Sequence, residues 1–252
     1  MNRNAKGFTL VEMAIVLVII GIILAGVMKG RDIVRGAQVK QFSQQFAQKW
    51  ATVAQTYYDK TGNLLIDGAE NGGSAASADG QIEGGLELQI GAAGGAEEVL
   101  RAVGITPCTL IKSKLTTPVT LGSLTQPVGH CDDSGTQTVN VVQTTIEGEY
   151  TGTQVVQVDL GTLAVTVSGQ DLLRNFVIIY NCPTDVAQGL DTAIDGRVGG
   201  DTGSCVALSV AAAGGTTAAL TIPGLATAPI ATQPWDPASN GNTQTLGIMM
   251  DY

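Results

Sequence analysis

Lys6-Gly7-Phe8-Thr9-Leu10-Val11-Glu12 stands near the start of this chain, and an apolar run continues from it to Met28. Glu12 is the single charged residue within that run. A helix over residues 8–28 would be about 30 Å long, which is enough to cross the hydrocarbon core of a bilayer. A carboxylate inside such a helix is costly, so Glu12 is a candidate functional residue.

The change from polar to apolar sequence is sharper at the start of the apolar run than at its end. An ordinary secretory signal is removed at a small-residue site that follows its apolar region. No such site follows Met28, whereas Gly7-Phe8 marks an abrupt change from polar to apolar sequence. We therefore expect the apolar helix to remain part of the mature chain.

The segment from Lys6 to Glu12 resembles the prepilin signature of type IV pilins and of the related pseudopilins of type II secretion. The resemblance implies that a membrane aspartyl prepilin peptidase cuts after Gly7, which makes residues 1–7 a leader peptide. It also implies that the same enzyme N-methylates the new N-terminal residue, Phe8. The strong likeness covers residues 1–60. Many major pilins carry a proline where this chain has Lys29.

The same resemblance assigns Glu12 a role in assembly. In a family filament the helices pack side by side with an axial stagger, so that Glu12 of one subunit faces the Phe8 amine of its neighbour. Because removing one partner of a buried ion pair is strongly destabilising, such a pair would fix the axial register. The implied partners are further copies of the chain in a helical homo-oligomer, the prepilin peptidase and an assembly platform in the inner membrane. The implied location is the inner membrane for the single-pass precursor and then an extracellular pilus, or a periplasmic pseudopilus.

The long helix is predicted to continue beyond the membrane segment to about residue 60. Apolar residues recur every three to four positions, which predicts an amphipathic stripe packed against a globular head: Ile33, Ala37, Phe42, Phe46, Trp50, Val53 and Tyr57. Glycines at 21, 26, 30 and 36 could loosen this helix. Gly26 and Gly30 also form a small-xxx-small pair, which suits either close helix approach or a plain lipid-facing surface.

A basic cluster follows the apolar run, at Lys29, Arg31, Arg35 and Lys40. With a cytoplasmic leader this cluster would lie outside, against the usual positive-inside tendency. Two explanations are open. The side chains meet lipid headgroups, or they meet carboxylates of adjacent subunits after assembly, and we slightly favour the second.

Residues 61–252 are predicted to form a β-rich head, which gives an α+β fold of the pilin type. A long mobile loop is expected over residues 68–96 and a short helix over 97–103. Antiparallel strands with one solvated face are predicted at 138–146, 154–160 and 163–167. Residues 172–181 suit a buried strand or a short helix, and we favour the strand. A further strand is predicted at 205–210. A helix is predicted to end at Gly196, and loops with one or two edge strands are predicted beyond Gly214.

Four cysteines, Cys108, Cys131, Cys182 and Cys205, follow the membrane segment. An even number in an exported chain indicates disulfides. The equal sequence gaps favour Cys108–Cys131 and Cys182–Cys205, although sequence leaves the other two pairings open. A zinc site is disfavoured because the chain has no CxxC and only one histidine, His130.

Two acidic residues on the predicted helix that ends at Gly196 suggest a calcium site. Asp191 and Asp195 share a helix face, and Asp201 follows in a glycine-rich loop. Oxygen ligands of this kind suit Ca²⁺. The alternative, which we favour, is a helix end with turn-forming residues.

Other function classes fit poorly. Loss of Arg3 and Lys6 with the leader leaves 11 basic against 22 acidic side chains, so broad nucleic-acid binding is not expected. No phosphate loop, G-x-S-x-G elbow or paired nucleophile and base indicates an enzyme. The sequence therefore predicts a structural filament subunit, and the large head favours a minor one. The alternatives are a type II secretion pseudopilin and a membrane-anchored adhesin with its activity in residues 68–96.

Overall fold

The computed structural model describes residues 9–73, 77–82, 88–89, 96–106, 119–121, 124–126, 138–139, 142–167, 169–208, 230–235 and 241–250. The chain divides into two compact units, Met1–Val39 and Lys40–Tyr252. Helix and antiparallel sheet together confirm the predicted α+β class.

Helix α1 begins at Leu10 and ends at Phe42, so it supplies the described helix of the first unit and extends three residues past the boundary at Val39. The helix continues without a break through all four of its glycines and through Lys29. Its apolar side chains face outward, with Leu10 at 90% and Ile33 at 72% exposure. Burial along this helix starts at Phe42, which belongs to the second unit. The packing predicted for Ile33 stays a prediction.

The helical region continues in the second unit. A π-helical turn spans Ser43–Ala47, and helix α2 spans Gln48–Thr61 and ends at Gly62 in the left-handed conformation. Phe42 and Phe46 stack with ring centroids 5.4 Å apart. Trp50 and Tyr57 are buried as well, as predicted from their spacing. The predicted helix over residues 8–60 is confirmed from Leu10 to Thr61, with one π turn inside it.

Short elements precede the main sheet. Strand β1 (Leu88–Gln89) pairs with β4 (Thr138–Val139), and β2 (Val119–Leu121) pairs with β3 (Leu124–Gln126). Helix α3 spans Ala96–Ala102 and confirms the predicted short helix.

The main sheet has the strand order β5-β6-β7-β10-β8-β9. Its strands are β5 (Val142–Gly148), β6 (Gly152–Val167), β7 (Gln170–Pro183), β8 (Cys205–Leu208), β9 (Ile230–Gln233) and β10 (Thr243–Met249). All these neighbours are antiparallel, and β9 makes a further, parallel pair with β6 at Val165 and Thr166. That pair closes β6, β7, β10, β8 and β9 into a ring, with β5 attached to the first half of β6.

The interior of this ring is filled by side chains from all five strands. Its buried cluster, with three partly buried residues packed against it, comprises Leu163, Val165, Phe176, Ile178, Val206, Leu208, Tyr180, Ile230 and Met249. Gly247 faces this cluster, and a Cβ there would lie 2.8 Å from the Phe176 ring. Side-chain filling is what a ring this small requires.

Three predictions about the sheet are wrong. Strand β6 is not broken at Gly161, because that residue pairs with Phe176 of β7. The middle of β6 has no solvated face, since Val158, Asp159 and Leu160 are all buried. The last strand, β10, is not an edge strand, because it lies between β7 and β8.

The segment after α2 is hydrogen-bonded to itself and to strand β6. The Asp67 carboxylate accepts hydrogen bonds from the amides of Asp79 and Gly80, at 2.8 and 3.0 Å. Ile82 exchanges two hydrogen bonds with Thr162, at the part of β6 that neither β5 nor β9 covers. These hydrogen bonds anchor Asp79, Gly80 and Ile82 to the rest of the head, and the mobility predicted for residues 68–96 stays a prediction.

Candidate assembly and processing site

The first turn of α1 is closed by two residues of the N-terminal signature. The Glu12 carboxylate accepts a hydrogen bond from the Thr9 backbone N–H at 2.8 Å and another from the Thr9 hydroxyl at 3.0 Å. In return the Glu12 backbone N–H donates to the Thr9 hydroxyl oxygen at 3.3 Å. Thr9 is thus the N-cap and Glu12 the third helical residue of a capping box.

This arrangement gives Glu12 a local role that our sequence interpretation missed. The signal was present, because Thr-x-x-Glu directly before an apolar run is the signature of a capping box. A carboxylate in the first turn also interacts favourably with the helix dipole. Both hydrogen bonds described to the Glu12 side chain end on Oε2. The carboxylate is therefore held in a fixed position with its second oxygen directed elsewhere.

Behind the cap, α1 presents apolar side chains in every direction. It is the one helix among the described residues that is long and apolar enough to cross a membrane, as judged by length and composition. Residues from Leu10 to Met28 make no buried core within their own chain. Gly7 and Phe8, the predicted cleavage and methylation sites, lie outside the described residues.

Residues 2–28 carry the prokaryotic N-terminal methylation motif. It is the signature of type IV pilins and pseudopilins, and it confirms the resemblance drawn from Lys6 to Glu12. The motif implies processing by a prepilin peptidase and assembly into pilus-type polymers. Together with the apolar helix it fits an inner-membrane precursor. Among curated proteins and solved structures, none matches the chain.

The basic cluster lies in the second half of α1. Lys29, Arg31 and Lys40 are exposed, whereas Arg35 is half-buried and has a partner. Asp32 adds one negative charge among them. Both predicted partners of the cluster, lipid headgroups and carboxylates of adjacent subunits, are compatible with this exposure.

In the head, helix α4 (Thr184–Asp195) carries two of the acidic residues proposed for calcium. Asp191 is fully buried, and its Oδ2 accepts hydrogen bonds from the Gly199 amide, the Gly200 amide and the Trp235 indole N–H, at 2.7, 3.2 and 2.6 Å. Its carboxylate therefore ties the loop after α4 to the segment after β9.

Asp195 and Asp201 do not join Asp191 in a metal site. The Asp195 carboxylate accepts hydrogen bonds from the amides of Ser204 and Cys205, at 3.0 and 2.9 Å. Within the part of the chain that the structure describes, no three acidic, histidine or cysteine side chains are grouped to hold a metal ion. The geometry favours the alternative prediction, in which these carboxylates organise a helix end and its loop.

The predicted Cys182–Cys205 disulfide is absent, and both residues are buried free thiols. Cys182 of β7 pairs with Gln244 and Cys205 of β8 pairs with Ile248, so that β10 lies between them. Strands that flank a third strand are roughly 9.5 Å apart, which exceeds the ~7 Å Cα separation that a disulfide tolerates. Cys108 and Cys131 lie outside the described residues.

Burial also keeps these two thiols protonated. It raises the pKa of Cys182, and the Asp185 carboxylate raises it further. Burial likewise raises the pKa of Cys205, with the carboxylates of Asp191 and Asp195 adding to the effect. Because the thiolate is the reactive form, neither cysteine is suited to nucleophilic chemistry.

Proposed function

We propose that this chain is a structural subunit of a type IV pilus-like surface filament, cleaved after Gly7 and polymerised through its N-terminal helix. The observation that carries the proposal is the methylation motif over residues 2–28, placed directly at a helix whose apolar side chains are exposed. A helix that is apolar all round needs either lipid or other helices around it. Lipid surrounds the precursor, and copies of α1 replace the lipid in the filament.

Glu12 favours the transfer of the helix from the lipid into the filament. In hydrocarbon a carboxylate must be neutralised or paired, and the capping hydrogen bonds satisfy only part of that requirement. Cleavage after Gly7 creates an ammonium group at Phe8. Because both capping bonds use Oε2, Oε1 can accept from the Phe8 ammonium of a neighbouring subunit while the cap stays intact. This pair would fix the axial register of the stack.

The charge of Glu12 can be separated from its capping role by substitution. Glutamine also completes a capping box, so Glu12→Gln removes the charge and keeps the cap, whereas Glu12→Leu removes both. We expect both variants to lose most surface filaments, measured as sheared pilus protein per cell. Glu147→Gln, at an exposed glutamate of β5, is the control and should assemble normally. Normal filament yield from Glu12→Leu would contradict the proposal.

Mass spectrometry of sheared filaments separates the alternative functions. An abundant peptide that begins at N-methylated Phe8 supports a major pilin, and a trace of it supports a minor or tip subunit. If the processed chain is absent from surface filaments but present in a periplasmic pseudopilus, the chain is a type II secretion pseudopilin. A chain that stays in the membrane fraction as a monomer is an anchored binding domain such as an adhesin.

A further inference from the structure

A groove runs along one face of helix α2 and is bordered on its other side by the turn that follows α3. Its volume is about 330 Å³, near the lower end of the range for ligand pockets, which is about 300–1,000 Å³. The α2 residues that line it recur at three- and four-residue spacing, as neighbours on one helix face do. Helix and turn together contribute Lys49, Thr52, Val53, Thr56, Lys60, Gly104, Ile105 and Thr106.

The groove combines an apolar floor with positive charge at both ends. Val53 and Ile105 form the floor and are themselves buried. Lys49 and Lys60 are separated by three helical turns, so they lie about 16 Å apart along the axis. The Lys60 ammonium donates to the Val103 carbonyl at 2.7 Å, which leaves two of its three hydrogens for another acceptor. Since the described lining includes no carboxylate, the groove favours a ligand that carries negative charge.

Two threonine hydroxyls between the lysines add acceptors to the groove. The Thr52 hydroxyl donates to the Gln48 carbonyl at 3.0 Å, and the Thr56 hydroxyl donates to the Thr52 carbonyl at 2.7 Å. Because each hydrogen is used within the helix, what remains on each oxygen is lone pairs. The groove therefore suits a group with an apolar body, a hydroxyl donor and a carboxylate beside it.

The turn between β5 and β6, residues 149–151, presents these three features together. Tyr150 is 61% exposed, the highest value among the large apolar side chains described in the second unit. A tyrosine has an apolar ring and a phenolic donor, and tyrosines are enriched at protein interfaces. The exposed Glu149 stands directly before it and supplies the carboxylate. We call residues 149–151 the acidic tip.

The acidic tip is held in a defined position on the head. Gly148 and Gly152 pair across its base. The Glu149 backbone N–H donates to the Asp185 carboxylate of α4 at 2.7 Å. Gly148 lies so close to α4 that a Cβ there would be 2.6 Å from the Cβ of Pro183. A tip fixed in this way loses little conformational entropy when it binds.

We propose that the acidic tip of one copy docks in the α2 groove of a second copy, with the Tyr150 ring on the apolar floor and Glu149 towards the lysines. The charge of the whole chain agrees, because residues 10–61 carry 6 basic and 3 acidic side chains, whereas residues 62–252 carry 5 basic and 19 acidic. The two surfaces differ, so the contact is heterologous and can repeat from copy to copy. This inference rests on the proposed polymerisation and assigns a head contact within it.

Cross-linking of the full-length chain in sheared filaments tests which surfaces meet. Thr52→Cys places a thiol in the groove, and Thr151→Cys places one on the acidic tip while Tyr150 is retained. With a short bismaleimide, the double variant should give a ladder of dimers, trimers and longer species. A mixture of the two single variants should stop at dimers, because each copy then carries one thiol of the contact. Thr52→Cys combined with Leu173→Cys, at an exposed position of β7, is the control and should give no ladder.

Filament yield gives the second readout. Tyr150→Ala should lower the sheared filament protein about tenfold, as loss of an interface anchor does. Tyr150→Phe keeps the ring and should retain most of the yield, and Leu173→Ala should assemble normally. Equal melting temperatures of these solubilised variants would show that the heads remain folded.

Failure of this contact and failure of the proposed function give different results. If filaments form but the double variant gives no ladder, or if Tyr150→Ala assembles normally, the docking inference is overturned and the proposed function stands. A ladder that contains a different protein instead of further copies would overturn it as well. If the unmodified chain forms no filaments, the proposed function fails and the head contact fails with it.

Discussion

Helix α1 and the strand ring use the same kinds of apolar residue in opposite ways. In the ring, Phe176, Ile178 and Val206 are removed from solvent by their own chain. In α1, Leu17, Ile22 and Leu24 are each more than half exposed. Burial of apolar surface is the main favourable term in folding. The ring therefore stabilises the chain as a monomer, while the exposed apolar run of α1 from Leu10 to Met28 is left to be covered by lipid or by other copies.

The contrast divides the consequences of mutation between the two regions. A change inside the ring should alter the free energy of unfolding of the head. A change on α1 should alter membrane insertion and assembly while the head stays folded. Each of the following experiments tests one side of this division.

The largest effect is expected for Phe176→Ala. The side chain is fully buried at the centre of the ring, and truncation of such a residue costs about 3–5 kcal/mol of unfolding free energy. Ile33→Ala, at an exposed position of α1, should cost less than about 0.5 kcal/mol. Urea denaturation of both variants in detergent, followed by Trp fluorescence, would check this. Similar losses from the two changes would remove the distinction between the regions.

The second-largest effect is expected on membrane insertion, from a change in α1 that leaves the stability of the head unaltered. Val18→Asp places a carboxylate near the middle of the apolar run, where insertion costs about 2.5–3.5 kcal/mol. We expect a clear drop in the membrane-bound fraction of the precursor, with the urea midpoint of the head unchanged. Val18→Leu is the matched control. A head that unfolds more easily in Val18→Asp would show that α1 supports its stability after all.

A smaller effect is expected at the polar contact that joins α4 to the segment after β9. Asp191→Ala leaves the two glycine amides and the Trp235 indole without their acceptor, which should cost about 2 kcal/mol. Asp191→Asn keeps one acceptor oxygen and should lose less. Added calcium should not shift the melting temperature of the unmodified protein, and a clear upward shift would revive the metal hypothesis.

The last effect concerns the two buried thiols, and it is absent at neutral pH and appears only at alkaline pH. Their pKa values are raised in the folded state, so the unfolded state loses its protons first as the pH rises. The contribution of these thiols to the unfolding free energy should therefore be constant below about pH 8 and should fall by up to ~1.4 kcal/mol per pH unit and per thiol above about pH 9. Cys205→Ala should reduce that slope.

Alkylation gives an independent check on the same residues. Cys182 and Cys205 should react with a maleimide only after unfolding, as measured on their peptides by mass spectrometry. If neither reacts after unfolding without a reductant, both are oxidised, and the free-thiol geometry of the head is incorrect.

Most of the helices and strands could be predicted from the sequence, but the pairing of the strands could not. Helix α4 was predictable from its apolar spacing and from Gly196, and the aromatic residues of α2 from their helical period, because both signals are local. The single long strand β6 was not, because Gly161 reads as a break until Phe176 of β7 is placed opposite it. The disulfide prediction failed for a similar reason, since equal sequence gaps say nothing about a strand inserted between the two cysteines.

The N-terminal sequence by itself determined the processing motif, the long apolar helix and the position of Glu12, because all three depend on residues close together in the chain. Tertiary structure decided the ring of strands, the central place of β10, the free thiols and the use of Asp191 and Asp195 as acceptors for loop amides. Those features depend on which distant segments pair. That choice is made by the packing of the whole head and cannot be read from local periodicity.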